Sequence, residues 1–154
     1  MAAPTLTWKQ VTGAPPYSGA TKTTLVDNTL DYGSVQAGSN SSVLAVIATV
    51  SGANISSEKF WLYDKTANKG DVGAASGWGH KGTVKTQANY TEASGMTFTD
   101  LATLGETPET GMTPGDTLNG NDTDVIYLGV TPPSSATDGE WNSWGYRLSF
   151  LYSS

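Results

Sequence analysis

Short runs in which apolar and polar residues alternate recur along this chain, and most stop at or within two residues of glycine, proline, asparagine or aspartate. Residues 5–11 (TLTWKQV), 23–26 (TTLV), 30–32 (LDY), 43–50 (VLAVIATV), 59–63 (KFWLY), 83–90 (TVKTQANY), 96–99 (MTFT), 125–130 (VIYLGV) and 144–152 (WGYRLSFLY) read as β-strands. In the last run Tyr146, Leu148, Phe150 and Tyr152 alternate with Gly145, Arg147, Ser149 and Leu151, the two-residue period of a strand with unlike faces. No stretch of helical length keeps an amphipathic helical period. Turn chemistry separates the runs at Gly13-Ala14-Pro15-Pro16, Asp27-Asn28, Gly33, Gly38, Ser51-Gly52-Ala53-Asn54 and Pro132-Pro133. This pattern predicts an all-β chain, a β-sandwich of immunoglobulin-like or jelly-roll type with about eight or nine short strands.

One run breaks the alternation. Residues 43–50 are apolar on both strand faces, and such a strand needs cover on both. In a two-sheet sandwich the facing sheet covers only the inner side. The outer set, expected to be Val43, Ala45, Ile47 and Thr49 because it is the less hydrophobic, must then meet a loop, an arm or another subunit. Ile47 is therefore a candidate contact residue. Two further segments, 64–82 and 104–124, are about twenty residues long against a usual connection of about 4–6. They are expected to carry function or to be ordered by a neighbouring chain. The prolines of MAAPT and of GAPPY (13–17) deny helix and sheet centre to the start of the chain. Residues 1–20 are accordingly expected to be an extended N-terminal arm and 21–154 a single sandwich domain.

Charge narrows the partners. The 154 residues hold 14 acidic and 8 basic side chains, a net charge of −6, and Arg147 is the sole arginine. Nucleic-acid binding needs a basic stripe to displace phosphate counterions, and none exists. Without cysteine the chain has no disulfides, thiolate zinc sites or thiol nucleophiles. MAAPTLTWKQ lacks the basic start and apolar stretch of a secretion signal, and no apolar run has the length of a membrane span. Synthesis in a host cytoplasm, without membrane attachment, is the expectation. Only 14% of residues are charged, so the exposed strand faces are rich in hydroxyls instead.

Leu30-Asp31-Tyr32-Gly33-Ser34-Val35, followed by Gly38, Ser42 and the apolar strand, resembles the L-D-F-G-x-V-x-x-G pattern of immunoglobulin-like sandwich domains. The resemblance covers about residues 30–63. Those domains often place Asn-Thr-Gly after the core strand, where this chain has Val50-Ser51-Gly52. Domains of this style occur in structural proteins of tailed bacterial viruses, including capsid decoration (cement) proteins. The low charge, absent cysteines, long loops and strand-terminated C-terminus are similar to that group. The resemblance implies a non-enzymatic virion protein that binds a protein lattice, with a homo-oligomer expected and no cofactor.

Candidate chemistry is sparse. His80 is the only histidine, and no Gly-x-Ser-x-Gly turn is present to supply a serine nucleophile for it. Glycoside hydrolysis needs two carboxyl groups across a cleft. Of Glu58, Glu92, Glu106, Glu109 and Glu140, only Glu58 lies beside a strand, and it has no evident partner. Asp116, Asn119, Asn121, Asp122 and Asp124 in GDTLNGNDTD could offer calcium several oxygens, though without EF-hand register. Trp8 and Trp61 fall on strands and read as core. Trp78, Trp141 and Trp144 sit among Gly, Ser and Asn, where aromatic rings can anchor a protein interface or stack on sugars. Trp78, His80, Trp141, Trp144 and Ile47 are thus the expected partner-binding residues, and a carbohydrate-binding module or adhesin is the alternative function. Asn-x-Ser/Thr triplets at Asn40, Asn54, Asn89 and Asn121 carry no glycosylation reading without a secretion signal.

Overall fold

A computed structural model describes residues 2–64, 77–92, 96–101, 111–137 and 144–153. Among them, alternation becomes eight strands: β1 (Thr5–Thr12), β2 (Thr21–Thr24), β3 (Leu44–Ser51), β4 (Asn54–Asp64), β5 (Gly79–Lys85), β6 (Thr99–Asp100), β7 (Val125–Thr131) and β8 (Trp144–Ser153). Six of them form one antiparallel sheet in the order β2-β1-β3-β7-β5-β6, and β4 with β8 forms a second. The molecule is the β-sandwich that the period-2 pattern predicts.

Parity decides what each face meets. Val46 of β3 and Ile126 and Leu128 of β7 point between the sheets against Phe60 and Leu62 of β4, with Leu101, Trp8, Tyr146 and Leu148 around them. The next residues along, Ala45, Ile47, Val125 and Tyr127, point the other way into a second core with Val11, Tyr17 and Tyr90. Ala20, Met96 and Phe98 pack against that core. The chain therefore covers the outer face of β3 itself. Tyr17 sits edge-on to Tyr90 at 5.8 Å, and Tyr90 stacks on Tyr127 at 6.4 Å. The Tyr90 hydroxyl donates to the Gly13 carbonyl (2.7 Å), and that of Tyr127 donates to the Thr91 carbonyl (2.9 Å).

Two expectations are corrected here. Ile47 is fully buried in the second core and offers nothing to a partner. Residues 1–20 are not a free arm: β1 lies between β2 and β3, and Tyr17 is part of the cover. The prolines favour an extended path, but Tyr17 beside them has an apolar ring to bury and Thr5–Thr12 finds a ladder partner on each side.

Segment 111–124 acts as a strap between the sheets. Phe60 and Met112 exchange backbone hydrogen bonds of 2.8 Å each, and Ile55 and Thr117 do so at 2.8 and 2.9 Å. The strap then crosses to β3, where Gly120 N donates to the Val50 carbonyl (2.8 Å), Val50 N to that of Asn121 (2.9 Å) and Thr123 N to that of Ala48 (2.9 Å).

Two local expectations also change. Gly79–Gly82, expected as loop, starts β5. A Cβ on Gly82 would lie 2.9 Å from both Leu101 Cδ1 and Met112 Cε, so this glycine supplies space in the core and no turn. Residues 30–32, expected as a strand, have no ladder partner; Asp31 Oδ1 instead accepts from Gly33 N at 2.7 Å in a local turn.

Candidate functional site: an aromatic groove between the sheets

On the inner side of the large sheet the sandwich opens into a cavity of about 800 Å3. Its walls come from distant parts of the chain. Trp8 arrives from β1, Val46 from β3, Phe60 from β4, and Trp144 and Tyr146 from the start of β8. The two β8 aromatics share a face because strand side chains repeat every second residue. Trp78 precedes β5, and Tyr32 hangs from the turn made by Asp31 and Gly33.

The rings support one another. Trp8 lies 6.1 Å from Phe60, and Phe60 stacks on Tyr146 at 5.4 Å with 16° between planes. Trp78 and Trp144 are 5.0 Å apart at 47°, and His80 meets Trp144 edge-on at 5.1 Å. The Tyr32 and Tyr146 hydroxyls share a hydrogen bond of 2.9 Å. Burial pushes the Tyr146 hydroxyl up to about 12, while its hydrogen bond to Tyr32 pulls the other way. Tyr32 is raised as well, by burial first and then by Tyr146. The pair stays neutral at physiological pH.

The rim is polar and acidic. Asp27 and Asn28 take left-handed backbone angles (φ 51° and 53°), a conformation these two residue types tolerate better than most. With Thr29 and Asp31 they line one side of the opening, and no lysine or arginine is among the described lining residues.

The expected partner-binding residues fare unequally. Trp78, His80 and Trp144 do come together, but as a packed cluster. His80 is fully buried and Trp78 is buried, which corrects the expectation of an open contact loop; half-buried Trp144 lines the cavity. Trp141 lies outside the described residues, as do Glu106, Glu109 and Glu140. Ile47 faces the opposite side of the same sheet. Trp61, read as core, has the opposite parity to Phe60 and Leu62, with the Arg147 guanidinium 5.7 Å from its ring. Sequence reasoning missed Asp27, Asp31, Tyr32 and Tyr146. The Trp144-x-Tyr146 spacing pointed to a shared face but not to an opening.

Neither of the other chemical candidates faces the cavity. A β-bulge between Ser56 and Lys59, with Ser57 at φ 53°, turns Glu58 inward to 0% exposure. Both its carboxyl oxygens lack a hydrogen-bond partner. Desolvation raises it to about 7, with Asp116 and Asp124 adding repulsion; Thr117 stands close enough to offset this in part, but not to bond. A sealed carboxyl cannot meet a glycoside. The calcium candidates are engaged elsewhere. Asp116 Oδ1 accepts from Ser57 N (3.0 Å), Asn119 Oδ1 from Gly52 N (2.9 Å) and Asp124 Oδ2 from Gly115 N (3.0 Å). Asp122 accepts from Tyr17 (2.8 Å), Lys22 (3.0 Å) and Thr49 (2.6 Å), while Asn121 joins through its backbone. These oxygens stitch the strap down, and among the described residues no group of three His, Asp or Glu converges as metal ligands would.

Comparison with protein-family models, with curated proteins and with solved structures gives no match.

Proposed function

We propose that this chain is a non-enzymatic structural protein of a bacteriophage virion, a capsid decoration or cement subunit that docks on a protein lattice along β8. The observation that carries the reading is the edge of that strand. β8 is 10 residues long and pairs with β4 on one side; on the other, no strand lies among the described residues. Free edges are normally blunted by charge, proline or cover, since their unpaired N–H and C=O groups template a further strand. Here the one charge, Arg147, is drawn back over the Tyr63 ring at 4.0 Å, and Leu151 and Tyr152 stand 66% and 44% exposed. The assignment to a virion rests on the likeness of type noted from the sequence. Of the contact first expected at residues 1–20, Trp78, His80, Trp141, Trp144 and Ile47, Trp144 opens β8 and Trp141 lies outside the described residues; the proposed contact moves to β8 because the others are built into the sandwich.

Light scattering of the protein, alone and with empty capsids of its phage, tests the proposal. Wild type should bind the particle or form a closed oligomer, and Leu151→Lys should abolish the association while leaving the melting temperature unchanged. A strict monomer without affinity for the particle overturns it.

A second reading, a carbohydrate-binding module or adhesin, is favoured by one observation: Trp144 and Trp78 line a cavity large enough for sugar rings. Saturable glycan binding supports it.

A further inference from the structure

We infer that the groove between Tyr32 and Trp144 is a binding site for uncharged pyranoside oligosaccharides that discriminates against acidic sugars; the inference rests on the second reading above. The ring of a pyranoside has a C–H face and a hydroxyl edge, and the groove presents one surface for each. Trp144 is braced by Trp78 and by His80 beneath it, at 5.0 and 5.1 Å, so it is held in place before any ligand arrives. A preset aromatic plane loses little side-chain freedom on binding. The neutral Tyr32–Tyr146 pair offers hydroxyls in the same cavity.

In the lining of the same cavity, Asp31 uses only Oδ1 internally, for the Gly33 amide. Neither Asp31 Oδ2 nor the Asp27 carboxylate has a hydrogen-bond partner among the described residues. Carboxylates only accept, and sugar hydroxyls can donate to them. The same two charges, with no lysine or arginine among the described lining residues, repel a uronate or sialate. A cavity of about 800 Å3 also far exceeds what a lone ammonium group would fill, which favours a multi-ring neutral ligand over a small cation.

The test is calorimetric titration of the whole chain with cellotriose, triacetylchitotriose, trigalacturonate and choline. Saturable binding of at least one neutral trisaccharide, about 10-fold tighter than trigalacturonate, is expected. Trp144→Ala should remove it. Because that change also loosens the core, Asp27→Asn/Asp31→Asn is the second variant. It removes both charges on an exposed rim while keeping acceptor oxygens, so the preference for the neutral trisaccharide over trigalacturonate should fall about 5- to 10-fold at low salt. Equal or tighter binding of trigalacturonate by wild type overturns the selectivity but leaves the carbohydrate reading standing. Binding of choline alone, or of none of the four up to about 10 mM, overturns both.

Discussion

Two faces of β3, one residue apart in parity, end in opposite ways. Above Ile47 the molecule is clasped: Tyr17 covers the strand, and its hydroxyl joins Thr49 and Lys22 on the carboxylate of Asp122. On the Val46 side the sheets part at the groove of Tyr32 and Trp144, and among the described residues Asp31 at its rim keeps one carboxylate oxygen without a partner. Both regions read alike in sequence, as polar turns with Asp and Asn. The difference is in partners. An acidic residue that receives three donors from other parts of the chain is a fastener, and one that receives a single local amide still has an oxygen to offer.

The strongest way to break this contrast is Ile47→Asp. A charge buried without a partner is expected to cost about 3–5 kcal/mol and to unfold the domain, seen as loss of the β signal in circular dichroism. A folded variant that has only lost self-association would put the cover of that face in another subunit. Next in size is Asp122→Ala, which strands three donors and should lower stability by about 2–4 kcal/mol in urea. Burial alone would raise the Asp122 carboxyl, but the donations from Thr49, Lys22 and Tyr17 outweigh it and hold the pKa below the usual value. A depressed acid contributes stability above its unfolded pKa and loses it as pH falls through the folded one. The gap between wild type and Asp122→Ala should therefore close in strong acid.

Glu58 carries the opposite sign. Its pKa of about 7 lies above the unfolded value of 4.5, so the folded state pays a growing penalty between those pH values and the whole of it above them. Glu58→Gln is expected to stabilise by about 1–2 kcal/mol at pH 8, a figure kept below the full shift because the buried amide would itself lack partners, and to change little at pH 4. Equal effects at the two pH values would refute burial of the ionised carboxyl. The smallest effect belongs to the open rim. Asp31→Asn should stay within about 0.5 kcal/mol of wild type in thermal unfolding, because it keeps the local turn and touches no core.

Strand positions were readable where the pattern is local. Residues 5–11, 43–50, 125–130 and 144–152 fall within a residue of β1, β3, β7 and β8. β4 was recognised only in its second half, because its first half holds Ser56, Ser57 and the bulged Glu58, which resemble a turn. Gly79–Gly82 was hidden for a related reason: glycine marks a bend when read alone, and a close approach once Leu101 and Met112 are packed against it. Of the groove, Trp144 and Trp78 were singled out by their odd surroundings, while Tyr32 and Asp31 were read as parts of a strand.

By itself, then, the sequence determined the all-β class, most of the strands, the acidic balance and the need for cover on both faces of residues 43–50. Those properties follow from residue spacing and from conformational preferences that act over a few positions. Only the tertiary structure decided that Tyr17 and Tyr90 supply the cover, that GDTLNGNDTD is a strap, and that Tyr32 and Trp144 face one cavity. Each of these depends on groups that meet only in the fold, as Tyr17 and Asp122 do across 105 residues of chain, and no local spacing encodes such a meeting.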